Sequence, residues 1–268
     1  LKPRGSRRPA AGPRIVGGTP RAPMPRTTGR WLLFAAALWG LAALLQCTWR
    51  DAFAGGRPEH LARRRAVSLA AGGAPAAAVR RVLVPIAQDS EEIETACITD
   101  VLVRAGAEVT VASVEPELQV RMSRGLKIVA DTLIGDCAGQ EWDAIVLPGG
   151  MPGAERLADC GALTALLKEQ GEARRLIAAV CASPAVVLAE HGLLDERATC
   201  YPADKFKKFV AANCQGWWDS PVVVDRKVIT SQGPGTSLQF ALKLVEVLYG
   251  KAKAEELAGQ LLTKTVLT

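Results

Sequence analysis

The stretch "LIAAVCASPAVVLAEHGLL", Leu176 to Leu194, decides the fold. Leu176 to Val180 are apolar without a break, the pattern of a strand buried on both faces beneath covering helices. Pro184 suits the first turn of a helix, where the N–H it lacks would be unpaired anyway. Between the two stands a thiol, Cys181, at a strand-to-helix corner. In open parallel sheets functional groups gather at such carboxyl ends of strands. The unpaired N–H groups and partial positive charge of a helix start would favour a thiolate there, and the Ala182 N–H is a candidate oxyanion donor. A small buried hydrophobe is the alternative reading of Cys181 from this window alone.

Working outward, strand-like and helix-like stretches alternate from Arg80 onward, which predicts an α/β domain around a mainly parallel sheet. "RRVLVPIA" (80–87), "EVTVASV" (108–114) and "WDAIVLPGG" (142–150) read as strands. "SEEIETACITDVLVRAGA" (90–107) reads as a helix with Ser90 as N-cap and Gly106 as stop. "GAERLADCGALTALLKEQG" (153–171) reads as one helix, and "PVVVDRKVITSQGPG" (221–235) as two strands turning at Asp225 and Arg226. Helices over about 236–248 and 252–262 close the chain. Two further glycine corners, Gly149–Gly150 and Gly233-Pro234-Gly235, let backbone approach a ligand closely and offer N–H donors.

The net charge of +6 is unevenly placed. Residues 1–80 carry 14 Lys or Arg against Asp51 and Glu59, so the remainder of the chain is net acidic. The basic balance is therefore no argument for nucleic-acid binding by the folded part. Trp31 to Leu45 form fifteen unbroken apolar residues, extended to nineteen by Trp49, at the lower edge of a membrane span and longer than most signal-peptide cores. The Arg-, Ala- and Ser-bearing stretch after it, poor in acids, has transit-peptide composition. Two readings stay open for residues 1–79: a two-part leader into a plastid bounded by extra membranes, or a signal anchor with a disordered linker that touches the membrane only through residues 31–49. A cytoplasmic form after processing is a further alternative. The domain proper is expected over residues 80–268. The chain begins with Leu rather than Met, which leaves its true start open.

Seven cysteines without a C-x-x-C pair, and only His60 and His191, argue against a zinc site or a disulfide framework and fit a reducing compartment.

Four blocks in order, "AQDSEEIETA" (87–96), "VLPGGMPGAE" (146–155), "AAVCASPAVVL" (178–188) and "TSQGPGTSLQFALKLVEVLYG" (230–250), closely resemble the DJ-one/ThiJ/PfpI superfamily. The resemblance spans about Arg80 to Leu262 and is nearest the DJ-one branch and its bacterial YajL-type relatives. It implies a flavodoxin-like sandwich with helices on both faces, a homodimer, and Cys181 as the reactive cysteine of a nucleophile elbow. It further implies Glu94 as the acidic partner of the thiol, with a raised pKa, and Gly150 and Ala182 as backbone donors facing the sulfur. Gly149, Tyr201, Gly233 and Pro234 are expected to line the site, and Arg124 to lie near its mouth and the dimer interface. No metal or organic cofactor is implied.

Departures from the family pattern narrow the chemistry. Ala182 stands where PfpI-type proteases have histidine, so a Cys-His peptidase dyad is unsupported. Tyr201 takes the place of a second histidine found in human-type members, and a phenol is a poor base at neutral pH. His191 reads as a helix C-terminal cap; Cys97 sits one turn after Glu94, and Cys200 is a candidate resolving thiol. The expected function is a cofactor-free glyoxalase or deglycase acting on methylglyoxal, glyoxal or their early adducts on protein side chains. The alternative is a redox-sensing chaperone or oxidative-stress protein in which Cys181 is reversibly oxidised.

Overall fold

The computed structural model describes residues 79–263. The hydrophobic segment 31–49 and the leader expected around it lie outside the described residues, as do residues 264–268.

Seven strands form the main sheet: β1 (Arg81–Ile86), β2 (Glu108–Ser113), β5 (Thr132–Leu133), β6 (Ala144–Leu147), β7 (Leu176–Val180), β8 (Val222–Asp225) and β9 (Val228–Ser231), in the order β5-β2-β1-β6-β7-β9-β8. All neighbours are parallel except β8, which pairs antiparallel with β9 across the tight turn at Arg226 and Lys227. β3 (Gln119–Arg121) and β4 (Lys127–Val129) form a separate hairpin. The helices are α1 (Glu92–Ala105), α2 (Gly153–Asp159), α3 (Gly161–Glu172), α4 (Asp204–Asn213), α5 (Ser237–Tyr249) and α6 (Lys251–Gln260).

Alternation along the buried strands builds the two layers. Val82, Val84, Ile86, Ala178 and Val180 face one way and pack with Ile98, Leu102, Phe240, Leu244 and Leu257 of α1, α5 and α6. Leu83, Ile145, Leu147, Ile177 and Ala179 face the other way and pack with Leu157, Leu163 and Leu167 of α2 and α3. The sheet is thus covered on both sides, the α/β sandwich expected.

Three local expectations need correction. The α1 N-cap is Glu91, whose carboxylate accepts the Glu94 N–H at 2.8 Å; the Ser90 hydroxyl instead accepts the Ala87 N–H at 3.0 Å. The single helix expected over 153–171 is two, because Cys160 adopts an extended ψ of 102° before Gly161 restarts the turn. The helix after Cys181 is a π-wound segment of six residues, Pro184–Ala189. Gly106 ends α1 in the left-handed conformation, φ 97°, and its N–H closes onto the Leu102 and Val103 carbonyls.

Candidate active site

The carboxyl ends of β1, β6, β7 and β9 meet at Cys181. Its φ of 66° lies in the left-handed region, which costs a residue with a Cβ on the order of 1–3 kcal/mol. Neighbouring backbone holds it there: its N–H donates to the Ser231 carbonyl at 3.0 Å and its carbonyl accepts the Tyr201 N–H at 2.7 Å. The Ser183 hydroxyl donates to the Pro148 carbonyl and ties the elbow to the turn after β6.

Gly149 fills the space between thiol and carboxyl. A Cβ at Gly149 would lie 2.5 Å from the Cys181 Cβ and 3.0 Å from Glu94 Oε2. Only glycine leaves room for both groups. At Gly150 a Cβ would collide with the Asp89 carbonyl and the Glu91 nitrogen, and its φ of 93° also favours glycine. The N–H groups of Gly150 and Ala182 hydrogen-bond the Cys181 sulfur.

Glu94, in the first turn of α1, is fully buried. Its Oε2 accepts the Gly149 N–H at 2.7 Å. Its Oε1 has no partner in ideal hydrogen-bond geometry, and the Cys181 sulfur is the side-chain group within reach. Burial raises the carboxyl to about 7, against the opposing Gly149 and Cys181 hydrogen bonds and with some help from the Glu91 charge. A buried carboxyl of this kind exchanges its proton near neutrality.

Burial, and then the Glu94 carboxylate, push the Cys181 thiol up to about 12, while the Gly150 and Ala182 amides pull more weakly the other way. This corrects the expectation that the corner favours a thiolate. A six-residue π-wound segment supplies little aligned dipole, and the ionised neighbour opposes a second negative charge. The neutral thiol donates to the Glu94 carboxylate, so the carboxylate is the group placed to take the sulfur's proton and the two titrate as a coupled pair.

The remaining predicted residues divide. The Tyr201 ring lies against Gly233, where a Cβ would stand 3.4 Å from its Cδ2, and the residue is 46% exposed. The Thr236 hydroxyl accepts the Gly233 N–H at 3.1 Å and shares a hydrogen bond with Ser231 at 2.7 Å, so the Gly233–Pro234 turn is fixed to the same strand end that holds Cys181. Arg124 sits in the β3–β4 turn. Its N–H donates to the Glu92 carboxylate at 2.8 Å and its guanidinium to the Ser123 carbonyl at 3.3 Å, and none of its hydrogen bonds reaches Cys181 or Glu94.

His191 caps a helix end other than its own: Nε2 is 3.0 Å from the Ala158 carbonyl in the last turn of α2. Cys97 is half-buried, its thiol raised by burial and by the Glu91, Asp100 and Glu94 charges. Cys200 is fully buried with its sulfur 3.4 Å from the Tyr201 carbonyl, and burial raises it to about 12. Its burial weighs against the resolving-thiol reading.

Sequence reasoning missed Glu91 and the β3–β4 hairpin. The first had a signal, an acid three residues before Glu94, which is N-cap to N3 spacing. Among the described residues no group of three or more His, Cys, Asp or Glu side chains is placed to hold a metal.

Fold and elbow together define a flavodoxin-like α/β protein with a cysteine as the candidate nucleophile. The chain belongs to the DJ-1/PfpI family, whose model matches residues 80–247. It is 44% identical over 186 residues to protein DJ-1 homolog A of Arabidopsis thaliana, covering 69% of this chain and 47% of the homologue. The chain thus spans about half the length of the plant relatives it matches. It is 43% identical to the glutathione-independent glyoxalase DJR-1.2 of Caenorhabditis elegans, covering 66% of this chain and 91% of that protein. Among solved structures, oxidized Toxoplasma gondii DJ-1 superposes with a TM-score of 0.67 at 52% identity, over 70% of this chain and all of that one. These similarities support the DJ-one branch and do not confirm the nearer affinity to YajL-type proteins.

Proposed function

We propose that the domain is a cofactor-free glyoxalase or deglycase that converts methylglyoxal, glyoxal or their early adducts on protein side chains. The observation that carries this reading is the Glu94 Oε1 atom, buried without an ideal partner within reach of the Cys181 sulfur. The name of the nematode relative supports the substrate class.

In the proposed reaction the Cys181 sulfur adds to the aldehyde carbon of methylglyoxal as its proton passes to Glu94. The new oxyanion is protonated to a hemithioacetal. Glu94, returned to the carboxylate, takes the carbon-bound proton to give an enediol, and reprotonation at the neighbouring carbon leaves a thioester. Water cleaves the thioester to lactate and restores the thiol. Atoms and electrons balance without an external oxidant, since one carbon is oxidised as its neighbour is reduced.

The test is lactate formation by wild type, Cys181→Ala and Glu94→Gln. Unchanged turnover in Cys181→Ala would sink the mechanism.

A second reading, oxidation sensing, draws on the half-buried Cys181 and on the relative solved in an oxidized form. Oxygens added to sulfur would meet the Gly150 and Ala182 amides and a protonated Glu94. Mild peroxide followed by mass spectrometry tests it, and oxidation spread evenly over the cysteines removes its basis. Homodimer formation, and a leader directing the domain to a plastid or anchoring it, complete the proposal.

A further inference from the structure

A second depression lies at the other end of the sheet. It is a groove of about 800 Å³ where β7 and β9 begin, bordered by α3 and by the loop after the π-wound segment. Ile177 in its wall and Cys181 stand four positions apart along β7 and its end, or about 13 Å at the rise of a strand. The groove is therefore distinct from the thiol site. Its volume falls within the range of small-molecule sites.

Its lining is cationic in a domain that is net acidic. Five ammonium or guanidinium groups face two carboxylates, Glu172 and Asp195. Arg175 is engaged by Gln170 at 2.9 Å and more loosely by Glu141 and Glu169, and Arg226 pairs with Glu196 and Asp195. Lys168, Arg174 and Lys227 have no carboxylate partner among the described residues. Cations with available partners tend to pair, so three unpaired ones around one groove form a field suited to an anion of high charge. Arg174 and Arg226 also hold positive φ values of 53° and 52°, in turns where glycine would cost less.

The floor has a different character. Leu193 and Leu194, both part-exposed, present its apolar surface, and the almost fully buried Ile177 and Val228 lie beneath it. An apolar floor beneath a cationic rim matches a flat ring that bears phosphate.

We infer that this groove binds a small phosphate ester with a flat ring body, of the nucleoside phosphate class. The ring lies on Leu193 and Leu194, and the phosphates meet Lys168, Arg174 and Lys227. The inference is independent of the thiol chemistry.

The experiment titrates the full chain with ADP, adenosine and inorganic pyrophosphate by calorimetry, in the wild type, Cys181→Ala and Lys168→Glu/Lys227→Glu. Saturable ADP binding is expected, tighter than either fragment, kept in Cys181→Ala and weakened at least about tenfold by the double reversal. Equal unliganded melting temperatures confirm that the reversed variant folds; if they differ, Lys168→Gln/Lys227→Gln replaces it with the same expected direction. Absence of ADP binding, pyrophosphate binding as tight as ADP, or indifference to the neutralised lysines would each overturn the inference.

Discussion

The Gly149 N–H donates to Glu94 Oε2 at 2.7 Å while the same glycine's bare α-carbon faces the Cys181 Cβ. One residue without a side chain orients the acid and leaves room for the thiol. The consequences of this contact can be measured separately.

Stability should fall as pH rises through the Glu94 titration. The folded-state carboxyl is raised to about 7 from 4.5, so the folded protein binds more protons than the unfolded chain between those values. The shift corresponds to about 3 kcal/mol, fully present below pH 4.5 and lost by pH 7 and above. Denaturant unfolding at pH 5 and pH 8 should show this loss in the wild type and a much flatter profile in Glu94→Gln.

Activity on methylglyoxal should have the opposite slope. Glu94 must be ionised to accept the thiol proton, so kcat/KM should rise with an apparent pKa near 7. Glu94→Gln should remove this limb and lower kcat by about 10²-fold or more. Initial rates from pH 5.5 to 8.5 decide it, and a flat wild-type profile would assign the proton transfer elsewhere.

Gly149→Ala should damage stability and site together. A methyl group 2.5 Å from the Cys181 Cβ forces either strand end to move, an overpacking cost of about 1–3 kcal/mol. The melting temperature should drop, and thiol labelling at Cys181 should change in rate.

Cys181→Gly should be more stable than Cys181→Ala by about 1 kcal/mol, although it removes more atoms. Glycine accepts a φ of 66° freely and alanine does not. Paired denaturation curves read the difference directly.

Tyr201→His should increase glyoxalase turnover near neutral pH. The Tyr201 backbone is fixed to Cys181, and an imidazole in place of the phenol supplies a base that titrates in this range. An unchanged rate would show that residue 201 takes no part in proton transfer.

The elements legible in the sequence were those with strong local signals. The uninterrupted apolar runs at 82–86, 144–147 and 176–180 could only be strands buried on both faces, and their alternation with amphipathic stretches predicted the parallel sandwich. Gly106 announced a helix stop because its conformation is local. The break at Cys160, the π winding after Pro184 and the β3–β4 hairpin were not legible, because packing against other elements decides them.

The site divides along the same line. Cys181 at a corner and the glycines of the 149 and 233 turns are sequence features, since corner position and missing side chains are local properties. That the carboxyl beside Cys181 is Glu94 rather than Glu91 or Glu92 came only from the motif resemblance. The tertiary structure supplies its cause: the α1 face turns Glu94 inward, Glu91 is used to cap, and Glu92 binds the Arg124 amide. The protonation of the pair could not be read from residue order. Burial and the distance between charges set it, and both exist only once β1, β6, β7 and β9 bring their ends together.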